Sequence, residues 1–225
     1  GMARYPDKFF DLAVVDPPYG IGVAKMAYTQ EENRPCKQKN GRKLVVKKLG
    51  YKHGDWDNNI PTDEYFNELK RVSKEQIIWG WNYYSKEWGN GLIKWNKLVP
   101  EGVSFSSFEY AYCSLIDYEI EFKYLWAGFS QGVSLKEPET QRGNKKLNEK
   151  RIHPTHKPIV LYDWVYKNYL PAGGKVLDTH LGSGSNRIAA DKAGNIDFVG
   201  FELDKDYFEA QEKRWGQYKA QLKLF

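Results

Sequence analysis

Asp16-Pro17-Pro18-Tyr19 closes the apolar run Leu12–Val15 with one carboxylate, two pyrrolidine rings and an aromatic face. Proline fixes its own φ and biases the residue before it toward extended backbone, so this corner is stiff. Neither proline has an N–H, which leaves local carbonyls free to accept hydrogen bonds beside the Asp16 carboxylate. Acceptors grouped next to a flat ring suit a planar base that carries an exocyclic amino group. Taken alone, the tetrapeptide leaves a plainer reading open: a strand ending in a proline turn, with Tyr19 covering the sheet edge.

A second group lies near the other end of the chain. Asp178-Thr179-His180-Leu181-Gly182-Ser183-Gly184-Ser185 follows the apolar Val176-Leu177, and Glu202 stands 24 residues beyond Asp178. Glycine lets backbone approach a ligand closely and adopt conformations closed to other residues. An acid at the end of the next strand is placed to accept hydrogen bonds from ribose hydroxyls. Only Gly182-x-Gly184 of the dinucleotide fingerprint is present. That disfavours a pyrophosphate cofactor, allows a nucleoside without phosphates, and leaves a plain tight turn open.

The third group is His153-Pro154-Thr155-His156-Lys157-Pro158. Two histidines three apart could ligate a metal, but no cysteine or acid cluster completes a set, so no metal is expected. A proline-stiffened helix start presenting Thr155, Lys157 and free N–H groups better suits a carboxylate, such as that of an amino-acid cofactor. A simple capping turn is the alternative.

These groups need strands and helices to hold them. Phe10–Val15 reads as a buried strand, Thr62 as the N-cap of a helix with Tyr65, Phe66, Leu69 and Val72 inward, and Gln76–Gly80 as a second buried strand. Leu92–Leu98 and Glu109–Leu115 read as further strands. Tyr118–Trp126 alternates and is expected to pair with the latter as an antiparallel hairpin. Pro158–Tyr169 reads as a helix, Lys175–Asp178 as a strand, Asn186–Ala193 as a helix, Asp197–Leu203 as a strand and Asp204–Tyr218 as a terminal helix. The pattern predicts one α/β domain over residues 1–225, a doubly wound, mostly parallel sheet with an antiparallel edge hairpin. Segments 20–60 and 127–152 read as excursions from it.

Length allows one sizeable core, and 41% hydrophobic with 28% charged residues is ordinary for a globular protein. The 8 Trp and 16 Tyr supply many stacking surfaces. Charge is concentrated: Arg34, Lys37, Lys39, Arg42, Lys43, Lys47, Lys48 and Lys52 lie in one stretch without an acid. Their eight positive charges exceed the chain's net +5, so the remainder is net negative. That is the footprint of a polyanion binder, or else a solvated basic loop. Cys36 and Cys113 show no redox or metal spacing, which fits a reducing, cytoplasmic setting. No run reaches membrane-spanning length and no signal peptide opens the chain. Gly1 ahead of Met2 reads as a remnant of expression.

Asp16-Pro17-Pro18-Tyr19, His153–Pro158, Asp178…Gly182-Ser183-Gly184 and Phe201-Glu202-Leu203-Asp204-x-x-Tyr207, in this order, resemble the amino-group DNA methyltransferases of the permuted β group. The resemblance spans about residues 10 to 215. It implies a Rossmann-like methyltransferase fold, S-adenosylmethionine as cofactor, and N6 of a flipped-out adenine as acceptor, with cytosine N4 as the alternative. Asp in the first tetrapeptide position favours adenine. It further implies Asp16, Pro17, Pro18 and Tyr19 as the catalytic set, the amino hydrogens bonding to Asp16 and the Pro17 carbonyl while Tyr19 stacks on the base. Asp178, Gly182, Ser183, Gly184 and Glu202 would line the cofactor, with His153, Thr155 and Lys157 at its methionine end. Arg34, Lys37, Lys39, Arg42, Lys43, Lys47 and Lys48 would hold DNA phosphates, and the two excursions would choose the target, for a short site or as a homodimer. One position departs: Thr179-His180 stand where the family carries Pro-Phe.

Rival readings are an RNA methyltransferase, a protein-glutamine methyltransferase, a catalytically silent DNA-binding relative and a nucleotide-binding oxidoreductase. Glutamine enzymes usually begin the tetrapeptide with Asn and lack the permuted order. Intact Asp16 and Glu202 argue against the silent relative, and the missing third glycine against the oxidoreductase.

Overall fold

The computed structural model describes residues 1–23, 34–37, 43–46, 55–99, 106–128 and 130–222, of which 34–37, 43–46 and 222 are described by their backbone alone. Continuous apolar runs build the centre of the sheet. Strands β1 (Phe10–Val15), β4 (Ser73–Trp79), β10 (Gly174–Asp178) and β11 (Ile196–Gly200) run parallel in the order β11-β10-β1-β4. Side chains alternate between the two faces. Leu12, Val14, Ile77 and Trp79 face α2 (Ile159–Tyr169) and α3 (Ser185–Ala193), whereas Ala13, Val15 and Ile78 share a second cluster with α1 (Asp63–Val72). Both faces are therefore covered, as a parallel sheet requires.

Helix α1 buries Phe66, Leu69 and Val72 as one stripe and carries acids in its first turn and bases in its last. Thr62 is its N-cap residue, in extended backbone, with no side-chain cap bond. Helix α3 ends at Gly194 in the left-handed region. Helix α4 (Lys205–Leu222) runs longer than expected, and β11 shorter: it ends at Gly200, so Glu202 lies two residues past the strand.

The remaining strands correct the expected hairpin. Strand β6 (Phe108–Cys113) pairs antiparallel with β4, and β5 (Leu92–Asn96) antiparallel with β6. Strand β7 (Glu119–Lys123) pairs parallel with β5 and not with β6. The antiparallel strand β6 thus lies inside the sheet, and β5 separates it from the edge strand β7. Gly91 makes this arrangement possible. A Cβ there would lie 2.1 Å from the carbonyl oxygens of both Cys113 and Ile116, so the link from β6 to β7 crosses the start of β5 where no side chain stands.

Two short ribbons complete the chain. Strands β2 (Arg34–Lys37) and β3 (Lys43–Val46) pair antiparallel inside the 20–60 excursion, and β8 (Trp126–Ala127) pairs with β9 (Ser130–Gln131) at the start of the other. No helix among the described residues is long and apolar enough to cross a membrane.

Candidate active site

The chain leaves β1 for β4 on one side and leaves β10 for β11 on the other, so the carboxyl ends of the neighbouring strands β1 and β10 flank a point where the winding reverses. Such a switch point opens a crevice in doubly wound sheets. The tetrapeptide and the glycine bend both sit there, 162 residues apart between Asp16 and Asp178 in sequence and side by side in space. A cavity of about 450 Å³ joins them, lined by Asp16 and Pro18 on one side and Gly182, Ser183 and Glu202 on the other, with His153, Thr155 and Lys157 between. That volume falls within the roughly 300–1,000 Å³ of small-molecule sites.

At the tetrapeptide end, charge is paired. Lys157, 4% exposed, places Nζ 2.6 Å from Asp16 Oδ2 and 2.6 Å from Glu109 Oε1, and donates to the Tyr19 hydroxyl at 2.8 Å. Its three N–H donors are thereby used. Tyr19 Oη lies 2.6 Å from Asp16 Oδ1 and 2.6 Å from Glu109 Oε1, and Lys97 closes the far side of Glu109 at 2.7 Å. Burial works against the Lys157 ammonium, but Asp16 and Glu109 overcome it and raise its pKa. Burial and the Glu109 charge push Asp16 above the usual carboxylate range. In Glu109 the same burial is overcome by Lys157 and Lys97, which hold it well below.

Three expectations change here. Lys157 does not reach for a methionine carboxylate, because its donors are taken by Asp16, Glu109 and Tyr19. Tyr19 does not line the cavity: its ring stacks on Tyr83 at 4.9 Å and packs over Gly80, where a Cβ would lie 2.1 Å from it. The Pro17 carbonyl accepts from the Tyr84 hydroxyl at 2.8 Å, so it is already engaged, and Pro17 is also absent from the cavity wall. Buried Asp57 steadies the corner by accepting from the N–H groups of Tyr19 (2.7 Å), Gly20 (3.1 Å) and Val23 (2.9 Å).

At the glycine end, carboxylates meet backbone. Glu202 accepts from Gly182 N at 2.7 Å and from Asp204 N at 2.9 Å. Gly182, at φ +50°, sits in the left-handed region that its position in the bend requires. Asp178 and Gly184 do not line the cavity. Asp178, 2% exposed, lies beneath the bend and accepts from His180 N and the Asn186 amide, each at 2.9 Å. Burial pushes it up to about 7, against those two hydrogen bonds. Gly184 is the N-cap of α3. Asn186 also donates to Val14 O at 3.0 Å, tying α3 to the ends of both central strands.

Aromatic and histidine side chains complete the wall. Trp56 tilts over His153 at 5.0 Å, and Tyr207 meets its edge at 4.3 Å. Burial keeps His153 neutral, down to about 3, and His180 at about 4. His180 Nδ1 is held by Thr179 Oγ1 at 2.9 Å, and Thr179 in turn by the Tyr65 hydroxyl at 2.7 Å, so the departing pair forms a hydrogen-bonded chain on the cavity wall. The two histidines of the third motif diverge. His156 accepts from Ile152 N at Nδ1 and, kept neutral by burial, donates Nε2–H to Glu149 at 2.8 Å. Glu149 also receives Arg214 and the Ile159 N–H, anchoring the end of the 127–152 excursion against α4 and α2. Of the basic stretch, Arg34, Lys37 and Lys43 have described backbone in β2 and β3. Lys39, Arg42, Lys47 and Lys48 lie outside the described residues.

Sequence comparison bears on what such a crevice does. The DNA methylase family N6_N4_Mtase matches residues 78–213. The chain belongs to this family of DNA methylases. It is 26% identical over 220 residues to YubD of Escherichia coli (strain K12), which carries the name of a methylase, covering 95% of this chain and 85% of that one. It is 24% identical to the type II methyltransferase M.ScaI of Streptomyces caespitosus, over 92% of this chain and 75% of that protein. Among solved structures the fold is that of M1.HpyAVI in complex with SAM (TM-score 0.50, 18% identity, 92% of this chain and 90% of that). The cytosine-N4-specific PvuII DNA methyltransferase shares it too (TM-score 0.50, 12% identity, 94% and 81%). A methylase of this family takes its methyl group from S-adenosylmethionine, and the donor set here suits that molecule: a carboxylate at the bend, a cavity of nucleoside size and no ammonium donor left over at Lys157.

Proposed function

We propose that this methylase transfers a methyl group to the exocyclic N6 of a flipped-out adenine in DNA. The observation that carries the reading is the Asp16 carboxylate, held by Lys157 and Tyr19 on the wall of the same cavity that Gly182 and Glu202 close from the other side. When bound, S-adenosylmethionine supplies a methyl group on a sulfonium, electrophilic without further activation. Glu202 would accept from its ribose hydroxyls, and His153 and Thr155 border the methionine end. Asp178 and Gly184 shape the bend from beneath.

An adenine amino nitrogen is a poor nucleophile because its lone pair is delocalised into the ring. A hydrogen bond to Asp16 draws that nitrogen toward tetrahedral geometry, and the carboxylate stabilises the positive charge that grows on it. Lys157 and Tyr19 keep the carboxylate from rotating. Base extrusion is required because the amino group cannot be reached inside a duplex. With Tyr83 on its ring, Tyr19 acts first through its hydroxyl, and stacking on the base calls for Tyr83 to yield that face.

The basic stretch is read as the phosphate-holding element. Register pairs Lys37 with Lys43 in the β2–β3 ribbon. The 127–152 excursion would supply the second contact to DNA.

Asp16→Ala tests the assignment. Removing one preorganised polar group costs roughly 10²–10³-fold, so transfer of labelled methyl to DNA should fall at least that far while cofactor affinity by calorimetry stays within several-fold. Nucleoside analysis of the wild-type product discriminates the acceptor: N6-methyladenine is expected, and N4-methylcytosine, or labelling of RNA alone, would replace the reading.

A further inference from the structure

Glu109 belongs to none of the four sequence groups, yet its carboxylate lies in the reacting end of the site. It comes from β6, the single reversed strand, and its side chain is 10% exposed. One oxygen meets Lys157 and the Tyr19 hydroxyl, each at 2.6 Å, and the other meets Lys97 at 2.7 Å. Two carboxylates therefore share one buried ammonium and one phenolic hydrogen. Tyr19 can donate to Asp16 or to Glu109, never to both at once.

Resting on the methyl-transfer reading above, we propose that Glu109 is a positioning residue that divides Lys157 and Tyr19 between two carboxylates and so keeps Asp16 basic enough to engage the amino group. The chemistry sets the requirement. As the new N–C bond forms, the C–S bond breaks with its electron pair going to sulfur, and the nitrogen is left with one proton too many. Asp16 takes that proton and later releases it to water. A carboxylate paired one-to-one with Lys157 would be a poor acceptor. One that shares Lys157 with a second, permanently charged carboxylate is a better one. The groups facing Asp16 are Lys157 and Tyr19, Glu109 from β6, Tyr65 from α1, Tyr84 after β4, Tyr162 from α2 and Asp178 from β10. Burial raises the tyrosines, which stay neutral, and Lys97 acts through Glu109.

Two variants give opposite signs. Glu109→Gln removes a negative charge, so Asp16 becomes more acidic: the acidic limb of the single-turnover pH–rate profile should move to lower pH. The rate at its plateau should fall roughly 10–100-fold, at or below the lower end of the roughly 10²–10⁴-fold typical of general acid–base catalysis, with cofactor Kd within about threefold of wild type. Lys97→Met leaves the Glu109 charge less screened, so the limb should move to higher pH. Asp178 titrates nearby in all three proteins, so the shift between them is the quantity read. Thermal melts identify a variant that fails to fold, and Glu109→Asp, which restores the charge, should then return the limb toward wild type. Unchanged limbs in both variants, or shifts of the same sign, overturn the role of Glu109 while leaving the methylase reading standing. A wild-type protein inactive on adenine, cytosine and RNA acceptors overturns both.

Discussion

The two ends of the crevice hold two acids each and treat them oppositely. At the tetrapeptide end Asp16 and Glu109 face Lys157 and Lys97, each carboxylate with an ammonium within 2.7 Å. At the bend, Asp178 and Glu202 show no ion pair among the described residues, and their partners are backbone N–H groups and an amide. Protonation follows the share of cation. Glu109, facing two ammonium groups, is held far below the carboxylate range. Asp16, facing only Lys157 and the Glu109 charge, is raised by burial, and Asp178, with no cation, rises to about 7. Where a carboxylate must keep its orientation through a reaction, pairing fixes it. Where a cationic ligand is to be received, no protein cation pairs with the acids at the bend among the described residues.

The contrast can be broken at either end. Lys157→Met should have the largest effect, because it leaves two buried carboxylates facing each other. Breaking a buried pair by removing one partner costs about 3–5 kcal/mol, read as a lower denaturation midpoint together with loss of methyl transfer. Asp178→Asn comes next. A carboxyl whose folded pKa exceeds its unfolded value holds its proton in the native state, so the wild type loses stability as pH rises from about 4 to about 7. The variant lacks that loss, so its stability relative to wild type should improve by roughly 2–4 kcal/mol between pH 4 and pH 8, checked by chemical denaturation at both values. Glu202→Gln is the mildest. It keeps an acceptor for Gly182 but gives up the charge, so cofactor binding by calorimetry should weaken by about 1–2 kcal/mol with the fold intact. An equal loss for the neutral thioether product would show that charge at the bend is not what it contributes.

Much of this site was legible because its parts are short and contiguous. Asp16 with Pro18, and Gly182 with Ser183 and Glu202, could be read from a stiff corner, a glycine turn and a strand-end acid, and all line the cavity. Glu109, Asp57 and Tyr84 could not. Each is one ordinary side chain on a strand or loop, and reaches its partner from 90, 38 or 67 residues away. The role expected of Lys157 failed for the same reason: local sequence showed a helix start, while the carboxylates that take its donors lie just past β1 and on β6. The β6–β7 hairpin failed because alternation marks a strand and is silent on its neighbour, and Gly91 decided that β5 would lie between them.

Backbone stiffness, apolar periodicity and glycine conformation are properties of neighbouring residues, so the amino-acid sequence by itself determined the strands of the main sheet, the central helices, the acidic corner and the bend. Which charges meet across the crevice depends on strand order and on side chains converging from distant segments. Coulomb energy follows distance in space, and only the folded chain sets that distance.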